Sequence, residues 1–249
     1  LTTAFAMTGP VGWHYASGME TGLLIAFMLW TLYGLIGRRF WLTVIAATLM
    51  AITRPEGAIM AVIAAGGLFL STFRKRHWRA LWAVIPVLAL GLQPLINWLA
   101  TGSATAAGSS AKSILSAVPP DRGTQLMQIA NNFARMWWEF LTGFSPREGL
   151  YLPFGLLILA LIGLEVIGWR RGRGWPALVV LGWLLAGTAA VSTLDPAFWH
   201  FKRYQMPFMA LLFPLTAWAL TILPYRVRWG VLALLIITAF ASSALYFVP

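Results

Sequence analysis

The sequence has no cysteine and little charge: 10% of its 249 residues are charged and only 7 are acidic, while 59% are apolar. The absence of cysteine excludes disulfides, thiolate metal sites and a cysteine nucleophile. The three histidines, His14, His77 and His200, lack the spacing of metal ligands, and neither GxSxG nor HExxH occurs. No glycine-rich phosphate loop precedes Lys75, Lys112 or Lys202, so neither ATP-driven transport nor zinc hydrolysis is expected, and no cofactor or metal is indicated. Soluble domains carry roughly 25% charged residues. With so few charges and a mean hydropathy of +0.76, the composition excludes an ordinary soluble enzyme, a disordered regulator and a fibrous protein. An integral membrane protein remains.

What is present is a series of apolar runs, at about 19–37, 41–53, 57–73, 80–99, 151–169, 176–193, 205–223 and 229–247. Each is continuously apolar, without the alternation of barrel strands, so the expected fold class is all-α: a polytopic membrane protein of about eight transmembrane helices. The run at 41–53 is too short to span unless tilted or partly buried. Basic residues orient the set. Arg38, Arg39, Arg74, Lys75, Arg76, Arg79, Arg170, Arg171, Arg173, Arg226 and Arg228 lie in very short connectors without a single acid. The positive-inside rule places these connectors in the cytoplasm. The net charge of +11 is thereby accounted for by orientation, and nucleic acid is not expected as a partner. Six of the seven acids, Glu20, Glu56, Asp121, Glu139, Glu148 and Asp195, then fall at or near the outer face.

The chain reads as one transmembrane domain over 1–249, with an outer segment at 100–150. Residues 101–123 are rich in Gly, Ser, Ala and Pro and read as loop. From Thr124, a candidate N-cap, helical periodicity begins. Leu126, Ala130, Phe133, Trp137 and Phe140 share one face, and Gln128, Asn131, Asn132, Arg135 and Glu139 the other. This pattern predicts an amphipathic helix lying in the outer interface rather than crossing the membrane.

Three outer-side segments carry chemistry. Glu20, at the start of the first run, is expensive facing lipid and is expected to meet a polar cavity, a cation or headgroups. Gly18 and Gly22 beside it form a small-residue step that admits a close neighbour. In Thr53-Arg54-Pro55-Glu56-Gly57, Pro55 suits a first helical position. Arg54 and Glu56 form an opposite-charge pair in which arginine is suited to fork onto a phosphate and the carboxylate to position it. In Asp195–Tyr204, His200, Lys202, Arg203 and Tyr204 place cations beside aromatics, which suits a lipid phosphate, a sugar face or generic headgroup anchoring. Lys112, in the Ser/Gly loop, is a weaker fourth candidate. Glu20, Arg54, Glu56 and Arg203 are expected to line one outer cavity.

Taken in order, SGMET opening a span (17–21), TRPEG (53–57), AKS (111–113) and KRYQMP (202–207) resemble the GT-C membrane glycosyltransferases that use polyprenyl-phosphate sugars. The resemblance is closest to the bacterial group of terminal arabinofuranosyltransferase-like enzymes. It implies an inverting transfer of sugar from a polyprenyl-phosphate donor to a hydroxyl of a glycan or protein acceptor, with membrane lipid as surroundings. It also implies a multi-pass protein of the bacterial plasma membrane with its site facing outward. Glu20, Arg54, Glu56, Lys112, His200, Lys202, Arg203 and Tyr204 are then the expected donor- and phosphate-binding residues. The family's acidic motif, with its catalytic base, lies upstream of the SGMET segment, and nothing like it occurs in residues 1–16. The resemblance therefore implies the C-terminal part of a longer protein, with Glu20 and Glu56 as fallback candidates for the base. The alternative is a transporter, flippase or ligase for lipid-linked glycans.

Overall fold

The computed structural model describes residues 2–6, 8, 20–73, 78–104, 112–116, 121–170, 172, 174–195, 197–198 and 202–247. Its architecture is all-α. The helices are α1 (Thr2–Ala6), α2 (Thr21–Gly37), α3 (Phe40–Thr53) and α4 (Pro55–Phe73). A composite rod Trp78–Thr101 follows, in which 3-10 turns flank α5 (Ile85–Leu88) and lead into α6 (Leu92–Thr101). Then come α7 (Arg122–Thr142), α8 (Leu156–Glu165, continuing as a π turn to Arg170), α9 (Gly174–Ser192), α10 (Met206–Leu220) and α11 (Tyr225–Phe247). The small antiparallel hairpin of β1 (Phe144–Ser145) and β2 (Gly149–Leu150) pairs Phe144 with Leu150 and Ser145 with Gly149.

Among the described residues, four helices are long and apolar enough to cross a membrane: Pro55–Phe73, Trp78–Thr101, Gly174–Ser192 and Tyr225–Ala244. Helices also occupy the other four apolar runs, but they are shorter. The 14-residue α3 rises only about 21 Å at 1.5 Å per residue, against a hydrocarbon core of about 30 Å. Two run boundaries move for local reasons. The run at 151–169 becomes helical only at Leu156, because Pro153 and Gly155, with φ of 76°, break the chain before it. The last helix starts at Tyr225, so Arg226 and Arg228 sit in its first turn, not in a connector. Arg228 Nη2 donates to the carbonyls of Thr221 at 3.3 Å and Leu223 at 3.2 Å, meeting acceptors that the end of α10 leaves open.

The chain packs as two compact units. The first comprises residues 1–22, 134–177 and 198–249, the second residues 23–133 and 178–197. In the first, α8 crosses α10 at backbone distance: a Cβ on Gly163 would lie 1.8 Å from the Leu215 carbonyl oxygen. Thr216 Oγ1 donates to the Leu156 carbonyl at 3.3 Å in the same contact. In the second, α4 packs on α3, and Gly57 lets it approach, since a Cβ there would meet the Met50 carbonyl oxygen at 2.2 Å. The buried Trp183 of α9 donates its indole N–H to the Met60 carbonyl at 2.7 Å, satisfying the one polar atom of a large core ring.

Helix α7 corrects one expectation. Its N-cap is Asp121, not Thr124: Asp121 Oδ1 accepts from the amides of Gly123 and Thr124 at 3.1 and 3.3 Å, and Oδ2 from the Thr124 hydroxyl at 2.5 Å. A carboxylate two residues ahead of the first free amides reaches them directly, which Thr124, already inside the helix, does not. Burial along the helix follows neither face alone. Leu126 and Ala130 are exposed, whereas Gln125, Met136, Glu139 and Phe140 are buried. Glu139 meets a buried cation rather than water.

Candidate functional site

In the first unit, α7 is brought to a sharp end at Gly143, whose φ of 68° and closeness to the Leu152 carbonyl admit no side chain. The Gly143 carbonyl accepts from the amides of Tyr151 and Leu152, and the hairpin between them returns Glu148 toward α7. The segment before α10 arrives from the other direction. Lys202 adopts a left-handed backbone, φ 59°, and its carbonyl accepts the amides of Gln205 and Met206 at 2.8 and 2.9 Å, starting α10.

That turn sends Lys202 inward. Its ammonium lies 2.5 Å from Glu139 Oε2 and 3.2 Å from Glu148 Oε2, with both Lys202 and Glu139 buried. It also stands 5.0 Å from the ring centres of Tyr151 and of Phe198, within cation–π reach. The other oxygen of Glu139 accepts from Arg135 Nε at 2.9 Å, and Arg135 stacks over Phe198 at 4.2 Å. Two carboxylates and two cations thus share one largely dry cluster, the balance such burial requires. Tyr151 completes the wall, and its hydroxyl, like that of the buried Ser145, has no hydrogen-bond partner among the described residues. Burial, then the charges of Glu139 and Glu148, push the Tyr151 phenol well above its ordinary pKa, so it stays a neutral potential donor.

The next residue turns the opposite way. Arg203 Nη2 bonds Glu20 Oε1, with Glu20 about half-exposed and Arg203 less so. Tyr204 is buried again. In the second unit, Arg54 is the single extended residue between α3 and α4, as a residue before proline prefers. Its Nε and Nη2 each lie 3.1 Å from one oxygen of Glu56, a two-pronged pair with both residues buried. Two of its five N–H groups are thereby committed to Glu56, and the carboxylate fixes the guanidinium plane. Lys112 is exposed, but its backbone is anchored: its carbonyl accepts the Asp195 amide at 2.9 Å, and Ser113 bridges to Leu194.

Of the residues singled out from sequence, Glu20 and Arg203 are joined across 183 positions, and Arg54 is joined to Glu56. Each pair is a site within its own unit. Lys202 is joined instead to Glu139 and Glu148. His200, Ser17–Met19 with Gly18, Ala111 and the basic residues 74–76, 171 and 173 lie outside the described residues. Sequence reasoning missed Glu139, Glu148 and Tyr151 as site residues. The available signal was Arg135 four residues before Glu139, a helix-face ion pair at the end of a helix otherwise short of charge. Among the described residues no three His, Cys, Asp or Glu side chains are grouped to hold a metal ion; Glu20, Glu56, Glu139 and Glu148 face cations. Comparison with known proteins finds no matching family model, no matching curated protein and no matching solved structure.

Proposed function

We propose that the chain belongs to a multi-pass membrane glycosyltransferase that moves a sugar from a polyprenyl-phosphate donor to an acceptor hydroxyl outside the cytoplasm. The observation that carries this reading is the Glu20–Arg203 pair: the SGMET and KRYQMP segments, 183 residues apart, meet through the two charged side chains that the resemblance assigns to the donor. The Arg54–Glu56 fork supports it, being a second guanidinium held in one plane by a carboxylate. In this reading a base removes the acceptor's hydroxyl proton, and the oxygen attacks the anomeric carbon. The bond from that carbon to the phosphate oxygen breaks, and polyprenyl phosphate departs with the electron pair. In this reading a guanidinium, that of Arg203, meets the negative charge that grows on the phosphate. The four shorter apolar helices complete eight crossings by local thinning of the bilayer and burial against their neighbours, which puts residues 20, 54–56, 112 and 202–204 on the outer side.

The test is transfer of radiolabelled sugar from a polyprenyl-phosphate donor by membranes containing the full-length gene product. Arg203→Ala removes a charged hydrogen bond worth about 1.5–3 kcal/mol, a loss of about 10- to 150-fold. Arg203→Lys should recover only part, lacking the two-pronged geometry. Full activity in Arg203→Ala and in Arg54→Ala would remove both from the donor site. Movement of the lipid-linked sugar across vesicles without transfer would make the protein a flippase instead.

A further inference from the structure

We propose that one end of the second unit is a binding surface for the headgroups of anionic phospholipids. The inference stands on the chain's place in a membrane and is independent of the glycosyltransferase reading. The first turn of α3, which follows Arg38 and Arg39, and the first turns of the Trp78–Thr101 rod meet at this end. Contact between Trp41 and Trp82, with ring centres 5.7 Å apart, brings them side by side. Phe40 packs on Trp41 at 5.3 Å and Trp78 on Trp82 at 6.4 Å, so a continuous row of rings runs along the edge. The row is not core. Trp78 is 61% exposed, Trp41 44% and Trp82 42%. Exposed indoles in a row are costly against water and suit the boundary between lipid tails and headgroups, where the ring is apolar and the N–H is wet.

Charge identifies the headgroup. Arg38, Arg39 and Arg79 are exposed beside this row, Arg39 standing 4.8 Å over the exposed ring of Tyr33. Arg38 takes a left-handed backbone at φ 56°, the turn that lets two arginines follow each other between helices. No acid occurs anywhere from Thr21 to Pro55 or from Gly57 to Pro120, so both stretches of sequence that supply these arginines carry positive charge only. The two helices that leave this end, Pro55–Phe73 and Trp78–Thr101, are both long and apolar enough to cross a bilayer. A positively charged, aromatic rim at the foot of two such helices matches a phosphate-bearing, anionic leaflet; a soluble nucleic acid would find those helices in its way.

The test uses the detergent-purified full chain equilibrated with equal amounts of phosphatidylglycerol and phosphatidylcholine, with retained lipid counted by native mass spectrometry. The wild type should retain phosphatidylglycerol preferentially, and the preference should fall as salt rises from 50 to 500 mM. The combined Arg38→Gln, Arg39→Gln and Arg79→Gln variant should lose most of it, at about fivefold per charge, while Arg→Lys at the same places keeps it. Removing two exposed arginines elsewhere, Arg122→Gln and Arg147→Gln, should leave it unchanged. The proposal falls if the wild type shows no preference, if the preference ignores salt, or if the Arg122/Arg147 variant loses as much as the triple one. The salt series needs no variant, so a triple variant that does not fold still leaves the surface tested.

Discussion

Replacing Lys202 by Met should destabilise the protein more than any other single change in the Glu139 cluster. The side chain is nearly isosteric, so the loss is electrostatic. Lys202→Met leaves Glu148 without its cation and Glu139 with Arg135 alone. Breaking a buried pair by removing one partner costs about 3–5 kcal/mol, because a charge stays behind unpaired. At 2–4 °C per kcal/mol for a chain of this size, the melting temperature in detergent should fall by about 6–20 °C. Glu139→Gln should cost less, since Lys202 keeps Glu148 and the amide oxygen still accepts a bond. Lys202→Gly should recover about 1–2 kcal/mol of the Met variant's loss, the strain of a side chain in the left-handed region, less the packing that Met preserves. The measurement is thermal unfolding followed by size-exclusion of the surviving species, for the single variants and for Lys202→Met combined with Glu139→Leu. Coupling between contacting residues should make the double variant better than additive by more than about 0.5 kcal/mol. A fall under 2 °C for Lys202→Met, or strict additivity in the double variant, would refute a buried ionic lock.

Tyr151→Phe removes a buried hydroxyl without a partner among the described residues and should leave stability unchanged or raise it by up to about 1 kcal/mol; a clear loss would mean that the hydroxyl is bonded. Because the folded pKa of Tyr151 is raised, the stability tied to its neutral form is complete below the ordinary phenol value and disappears as pH rises, so its tyrosinate absorbance should grow only with alkaline unfolding. Asp121 behaves in the opposite sense: the Thr124 hydroxyl, then the Thr124 amide, lower its pKa, so its cap is intact above the ordinary carboxylate range and is lost as pH falls through the lowered value. Hydrogen-exchange protection at residues 123–126 should drop in acid for the wild type, and already at neutral pH for Asp121→Ala; protection independent of pH would exclude the cap. Gly163→Ala should lower the melting temperature, since its methyl meets the Leu215 carbonyl and overpacking costs about 1–3 kcal/mol or more, whereas Gly230→Ala, with open space around it, should be neutral or stabilising by up to about 1 kcal/mol.

The helical fold was legible because the apolar runs carry their own evidence, and every one of the eight is occupied by a helix. Their ends were less so. A hydropathy run does not know that Pro153 and Gly155 delay α8, or that Arg228 is wanted by the carbonyls of Thr221 and Leu223 and therefore belongs to the following helix. The division into two units was not visible at all, because it cuts α2, α7 and α9 within runs that periodicity treats as uniform.

The site was half legible for a sharper reason. Read as a string, Lys202-Arg203-Tyr204 is a basic-aromatic cluster, and all three residues look alike as headgroup or phosphate contacts. The left-handed backbone at Lys202 destroys that equivalence, and no residue type signals it, since left-handed conformations favour glycine and asparagine. With Lys202 turned in, its ammonium closes on Glu139 and Glu148 while its carbonyl starts α10. Arg203 is left on the outside, opposite Glu20. The two cations divide the work: the compact ammonium fixes the turn from within, and the planar guanidinium, whose orientation depends on that turn, pairs with Glu20. Exchanging them should therefore fail in both positions, because a bulkier guanidinium must be fitted among the buried Glu139, Tyr151 and Phe198, and a lysine at 203 replaces the planar guanidinium that bonds Glu20 by a point charge. A Lys202→Arg, Arg203→Lys double variant with wild-type stability and transfer activity would show that the turn imposes no such division.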